Sequence, residues 1–240
     1  MLAGVIFDLD GVVADTHPIH RRAWERFLQE RGRQVSEQEM DFVLEGFKRE
    51  DILLHFLGSL SPAELRHYGD RKDELFEQSA DQVGAVRGVM DFIQQCECVG
   101  LSLAVATSAG KRRTHALLER LGLGGRFSTI VTGDDVSESK PDPSVFKQAA
   151  AGMRLPPERL LVAEDSQAGV RAAKRAGMKC LGLARGARVS KLYHDGADWV
   201  VGDFCDISLA LIEQLFSASQ VEAEITQRGA EFFRIVEQNS

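Results

Sequence analysis

Short apolar runs separated by helix-length amphipathic segments constrain this chain more than any other feature. The runs fall at 2–7, 101–107, 130–132, 160–163, 179–183 and 199–201. Helical patterns at 88–98, 111–121, 143–153 and 168–176 separate most of them. Asp142 is the predicted N-cap of the third helix, with Pro143 at its first helical position. The strands are apolar throughout rather than at alternate residues, so both faces of their sheet must be covered. Such an alternation predicts a parallel sheet with helices on both sides.

The stretch 15–87 breaks that alternation. It carries no strand signal, only amphipathic helix: "HRRAWERFLQE" places Ala23, Trp24, Phe27 and Leu28 on one stripe. Ser36 to Glu39 and Ser61 to Glu64 read as capping boxes. A helical block of about 70 residues cannot extend the sheet. The fold class expected is therefore α/β, a Rossmann-like core over 1–14 and 88–240 with an all-helical cap inserted at 15–87 after the first strand. The segment 217–240 reads as one more helix with no visible chemistry.

At 240 residues the chain can bury one large domain with a smaller insert. Its formal charge of -7 argues against a nucleic-acid partner, because a phosphate backbone selects basic faces. A small anionic substrate needs only a local basic patch. Of the cysteines, Cys96, Cys98, Cys180 and Cys205, the first two are spaced C-x-C rather than C-x-x-C, and no Cys/His ligand set surrounds that pair. Reduced thiols in a cytoplasmic monomer are expected. The opening residues carry no basic leader or apolar signal core. No apolar run approaches the roughly 20 residues of a membrane span, so no membrane association is expected.

Against this frame "VIFDLDGVVADT" crowds Asp8, Asp10 and Asp15 at a strand end, where like charges repel. A strand period of two points Asp8 and Asp10 the same way, and Gly11 permits a tight turn. The second run ends in "ATSAGK", with a hydroxyl at Thr107 and amides at Ser108 and Ala109. Lys140 follows the third in "SKPDP", and the fourth ends in "AEDSQAG" with Glu164 and Asp165. Each alone is an ordinary turn or cap residue. In that order, at successive strand ends, they converge where parallel sheets bind ligands. Oxygen donors of this kind suit Mg²⁺ together with a phosphate.

These residues are similar to the motifs of haloacid dehalogenase superfamily phosphotransferases. "DLDGV" resembles the first motif, Thr107 the second, Lys140 the third and "EDS" the fourth, in a likeness running over 5–215. The helical insert resembles the type 1 cap of the beta-phosphoglucomutase-like subfamily. The resemblance implies that Asp8 is a nucleophile forming an aspartyl-phosphate, and Asp10 the general acid and then base. It implies that Thr107 and the Ser108 and Ala109 amides hold phosphoryl oxygens while Lys140 offsets charge. Mg²⁺ would lie on Asp8, the Asp10 carbonyl and Asp165, with Glu164 a ligand or just behind. Asp15 is expected to be a hinge or capping residue.

The same resemblance marks substrate-binding candidates in the cap. His20 has the spacing of the mutases, and Trp24 lies one turn on. "EGFKREDIL" resembles a mutase cap segment that sets Gly46 and Arg49 over the site, and Lys72 matches a further cap lysine. The expected partner is a small phosphorylated metabolite. "TSAGKRRTHA" is longer than the mutase loop and resembles the phosphatase branch, and Arg87 replaces a hinge proline. A phosphatase acting on a small phosphate monoester, such as a sugar phosphate, is the main reading. A hexose-phosphate mutase is the alternative. A non-catalytic protein on the same fold would be expected to lack Asp8 or Asp10.

Overall fold

The structure is a computed structural model that describes residues 1–214 and 216. The helix predicted over 217–240 lies outside the described residues. Six parallel strands form the sheet: β1 (Gly4–Phe7), β2 (Ser102–Ala106), β3 (Thr129–Val131), β4 (Leu160–Glu164), β5 (Lys179–Leu183) and β6 (Trp199–Val201). Their order is β3-β2-β1-β4-β5-β6. Phe7 pairs in register with Val105 on one side and Ala163 on the other, so Asp8 emerges between the ends of β2 and β4.

The insert after β1 holds α1 (His17–Glu30), α2 (Glu37–Met40), α3 (Arg49–Leu57) and α4 (Pro62–Glu77). Both predicted capping boxes form, at the starts of α2 and α4. The α1 stripe of Ala23, Trp24, Phe27 and Leu28 is buried. The two linkers run side by side. Asp15 donates its amide to the Gly84 carbonyl at 2.8 Å, Val86 donates to Val13 at 3.0 Å, and Ala14 pairs antiparallel with Ala85.

Helices α5 (Val89–Cys98), α6 (Lys111–Arg120), α7 (Ser144–Met153), α8 (Gln167–Arg175) and α9 (Arg188–His194) complete the core. Both sheet faces are covered, as the unbroken apolar strands require: Phe7 and Val105 bury against one set of helices, Ile6 and Val162 against another. The predicted cap of α7 is corrected by one residue. Pro143 is the N-cap, and Asp142 acts from just outside by accepting the Ser144 amide at 2.9 Å. Helix α9 is an addition to the expected elements, because its seven residues bury only Leu192 and leave little periodic signal. All four cysteines are free. Among the described residues, no helix is long and apolar enough to cross a membrane.

Phe7 fixes the strand end that carries Asp8. Its buried ring meets those of Phe92, Phe127 and Phe204 at centroid distances of 6.1, 6.0 and 6.1 Å. Phe7→Ala should therefore lower unfolding free energy by about 3–5 kcal/mol, and Phe7→Leu by much less. Urea unfolding of the two variants checks this.

Candidate active site

The ends of two strands meet at a buried ammonium. Lys140 Nζ donates to Asp8 Oδ1 at 2.8 Å and to Glu164 Oε1 at 2.5 Å. The second Glu164 oxygen accepts the amides of Asp165 and Ser166 at 2.7 Å each, and the Ser166 hydroxyl at 2.9 Å. Glu164 thus faces protein donors and has little capacity left for a metal. Burial pushes the Asp8 carboxyl up to about 8, because Lys140 is shared with Glu164 and only partly offsets desolvation.

Asp10 lies in the opposite environment. Burial alone would raise its pKa, but Arg113 and His20 outweigh that and hold it well below the usual carboxylate range. The Arg113 guanidinium grips both oxygens, Nη1 to Oδ1 at 2.8 Å and Nη2 to Oδ2 at 2.7 Å. Thr16 donates its hydroxyl to Oδ1 at 2.7 Å, and His20 Nε2 lies 3.3 Å from the same atom. Arg113 is the functional candidate that sequence reasoning missed. It sits in the first turn of α6, whose Lys111 amide is capped by Asp134 at 2.7 Å. "KRRTHA" was legible only as a departure from the mutase loop.

Thr107 is buried at the end of β2, and its hydroxyl accepts the Ala109 amide at 3.1 Å. That amide is therefore turned toward Thr107 here, not free for a ligand as expected. The Ser108 hydroxyl donates instead to the Gly46 carbonyl at 2.7 Å, joining core to insert. Gly46 has φ +81°, and a Cβ there would lie 2.3 Å from Ser166 Oγ, so only glycine lets this segment press on the core. Next to it, Lys48 donates its amide to Ser139 Oγ at 2.8 Å and its ammonium to the Val136 carbonyl at 2.5 Å.

The insert roofs a cavity of about 1140 Å³ that Asp8, Asp10, Thr107 and Lys140 line from below. His20, Trp24, Gly46, Arg49 and Lys72 line it from the insert. Arg49 is already engaged, with Asp73 at 2.5 Å and Glu50 at 2.8 Å. Lys72 is buried over Trp24, its Nζ 3.3 Å from His20 Nδ1. Burial, opposed in part by Asp73, brings Lys72 down to about 8. Burial and the Lys72 charge bring His20 down to about 3. Asp51, a residue of the same wall, buries Oδ2 with no hydrogen-bond partner among the described residues, an acceptor that sequence reasoning did not single out.

The oxygen donors fit Mg²⁺. Asp8 and Asp165 offer carboxylates, and Gly11 lets the chain after Asp10 pass close to Asp165, since a Cβ there would lie 2.6 Å from Asp165 Oδ2. His17 Nε2 now rests on that oxygen at 2.9 Å. Burial pulls the His17 pKa down, but Asp165 overrides it and the pKa is raised. Among the described residues no three His, Cys, Asp or Glu side chains gather as a ready metal cage. Mg²⁺ needs none, since it binds through one or two carboxylates, water and substrate phosphate.

Comparison with known proteins places this geometry. The sequence matches the Haloacid dehalogenase-like hydrolase family over residues 5–183. It is 31% identical over 183 residues to the "Phosphorylated carbohydrates phosphatase" of Thermotoga maritima, covering 74% of this chain and 83% of that protein. Identity to the "Beta-phosphoglucomutase" of Bacillus subtilis is 28%, over 93% of this chain and all (100%) of that one. A crystal structure of a CbbY mutant from Rhodobacter sphaeroides, in complex with xylulose-(1,5)bisphosphate, superposes with TM-score 0.74 at 28% identity, covering 85% of this chain and 95% of that one. With the four motif positions gathered at one sheet edge and a family match across most of its length, the chain belongs to the haloacid dehalogenase-like hydrolases.

Proposed function

We propose that the chain is a Mg²⁺-dependent phosphatase hydrolysing a small phosphate monoester, a sugar phosphate, through a phosphorylated Asp8. The observation that carries this reading is the Asp8–Lys140 pair at 2.8 Å on the floor of a roofed cavity. The ammonium both orients the nucleophile and offsets an incoming phosphoryl group. Residues 1–14 and 88–240 are the catalytic core in this reading, and 15–87 the cap. The protein works as a monomer in the cytoplasm, a reducing compartment that its free cysteines suit.

Asp8 attacks phosphorus, and the bond to the leaving oxygen breaks as that oxygen takes a proton from Asp10. Asp10 then removes a proton from water, which attacks the phosphorus, frees inorganic phosphate and restores Asp8. Thr107 and the Ser108–Ala109 amides hold the phosphoryl oxygens, the Ala109 amide turning from Thr107 to do so. Mg²⁺, held by Asp8, the Asp10 carbonyl and Asp165, would supply positive charge to those oxygens. Glu164 holds Lys140 in place. A sugar phosphate substrate is supported by similarity to the carbohydrate phosphatase of Thermotoga maritima.

Transfer to a sugar hydroxyl is the second reading, favoured by similarity to the Bacillus subtilis mutase along nearly the whole chain. Phosphate released from a set of sugar phosphates, beside product formed from beta-glucose 1-phosphate with its bisphosphate activator, separates the two. A chelator should abolish either activity, and Mg²⁺ should restore it.

Asp8→Asn should lower turnover about a thousandfold or more, since the amide cannot form the phosphoenzyme. Phosphate release under saturating substrate measures it, and a loss under about tenfold (1.4 kcal/mol) contradicts the nucleophile assignment.

The same substitution should change how stability depends on pH. A carboxyl raised to about 8 from an ordinary 3.8 contributes its stability at low pH and loses it as pH rises between those values. The uncharged amide of the variant does not titrate and carries no such loss. Urea unfolding in excess chelator should show the variant gaining on wild type from pH 5 to pH 8, by on the order of 1–2 kcal/mol.

A further inference from the structure

The cluster around Arg113 has more donors than acceptors. Arg113 Nη1 lies 2.9 Å from His20 Nε2, while Lys72 Nζ lies 3.3 Å from His20 Nδ1. Guanidinium and ammonium groups only donate, and a neutral imidazole offers one lone pair for the two of them. Asp73, 3.5 Å from Lys72, is already gripped by Arg49. Asp10 is what holds the cluster together, and it does so with both oxygens on the Arg113 fork. While so held, its carboxylate is not free to exchange a proton with a substrate.

The core supplies Arg113, and the insert supplies His20, Lys72 and the Phe76 ring, which the guanidinium overlies at 5.1 Å. The cluster is therefore complete only when the two lie together. It lines the cavity that also opens on Asp8 and Lys140, so one ligand can touch both. An oxyanion with several acceptor oxygens, a phosphate or a carboxylate, matches the surplus of donors.

We infer that Arg113 is a latch on Asp10, opened when a second anionic group on the substrate takes the place of Asp10 on the guanidinium. The inference rests on the proposed role of Asp10 as proton donor, and narrows the substrate to phosphate esters bearing two anionic groups. The exchange moves only ion pairs and hydrogen bonds. A singly phosphorylated neutral ester leaves the latch shut.

The test compares 1,5-pentanediol bisphosphate with pentyl phosphate, each of which releases a primary alcohol from a five-carbon chain. Wild type should favour the bisphosphate in kcat/KM by about a hundredfold. In Arg113→Ala that ratio should fall below about threefold, with pentyl phosphate turned over faster than by wild type. This opposite movement is one that a purely structural arginine would not produce. A wild-type ratio near one, or equal losses on both esters in Arg113→Ala, overturns the latch. Arg113→Lys keeps the charge without the two-pronged grip and should fall between the two, which covers the case in which the alanine variant does not fold. If neither ester is hydrolysed, the phosphatase reading has failed rather than the latch. Calorimetric binding to wild type then decides: tighter binding of the bisphosphate by about tenfold or more, lost in Arg113→Lys, sustains the anion exchange, and equal affinities overturn it.

Discussion

Everything at this sheet edge depends on one buried cation. Lys140 is almost wholly removed from solvent, and an ammonium in that position is tenable only with carboxylates on it. Asp8 and Glu164 supply two, and the Phe146 ring lies 5.0 Å from the same nitrogen. The dependence runs both ways, because two carboxylates this deep need the cation. Three places distant in sequence, just after β1, in the loop after β3 and at the end of β4, are thereby tied to one point. The strand order puts β1 between β2 and β4, so the tie needs no distortion of the sheet.

That tie explains how two aspartates one residue apart come to differ. Asp8 shares its cation and is pushed toward the protonated state, while Asp10 has a guanidinium to itself and is held ionised. Their separation follows from surroundings rather than residue type, and it is the reverse of what the first step asks, since Asp8 must be ionised to attack and Asp10 protonated to donate. The core determines the first environment and the core–insert boundary the second. The roof over the cavity is therefore part of the electrostatics of Asp10, through Thr16 and His20.

The sheet was legible because buried parallel strands are short, apolar and regularly spaced, and the motif residues because each follows such a strand. Edges were less exact. Asp142 and Pro143 both suit a helix start, and only backbone geometry separates N-cap from the position before it. Arg113 escaped because one basic residue among three in "KRR" has no local signature: which of them faces Asp10 depends on how α6 begins. Arg49 was legible as a cap cation, but its pairing with Asp73, on a different helix, is a tertiary fact. Asp51 likewise has no meaning until the cavity wall exists.

The paired linkers carry a mechanical consequence. Two strands crossing side by side, bridged at Ala14 and Ala85, resist sliding and twisting and leave a single bending axis, like a strap doubled over a rod. The first strap is also the tail of the loop that carries Asp10, since Gly11 donates its amide to the Ala14 carbonyl at 2.8 Å. Any bend at Ala14 is thus felt three residues from Gly11 as torque on the Asp10 backbone. Were the roof to open about this pivot, the backbone of Asp10 would move with it.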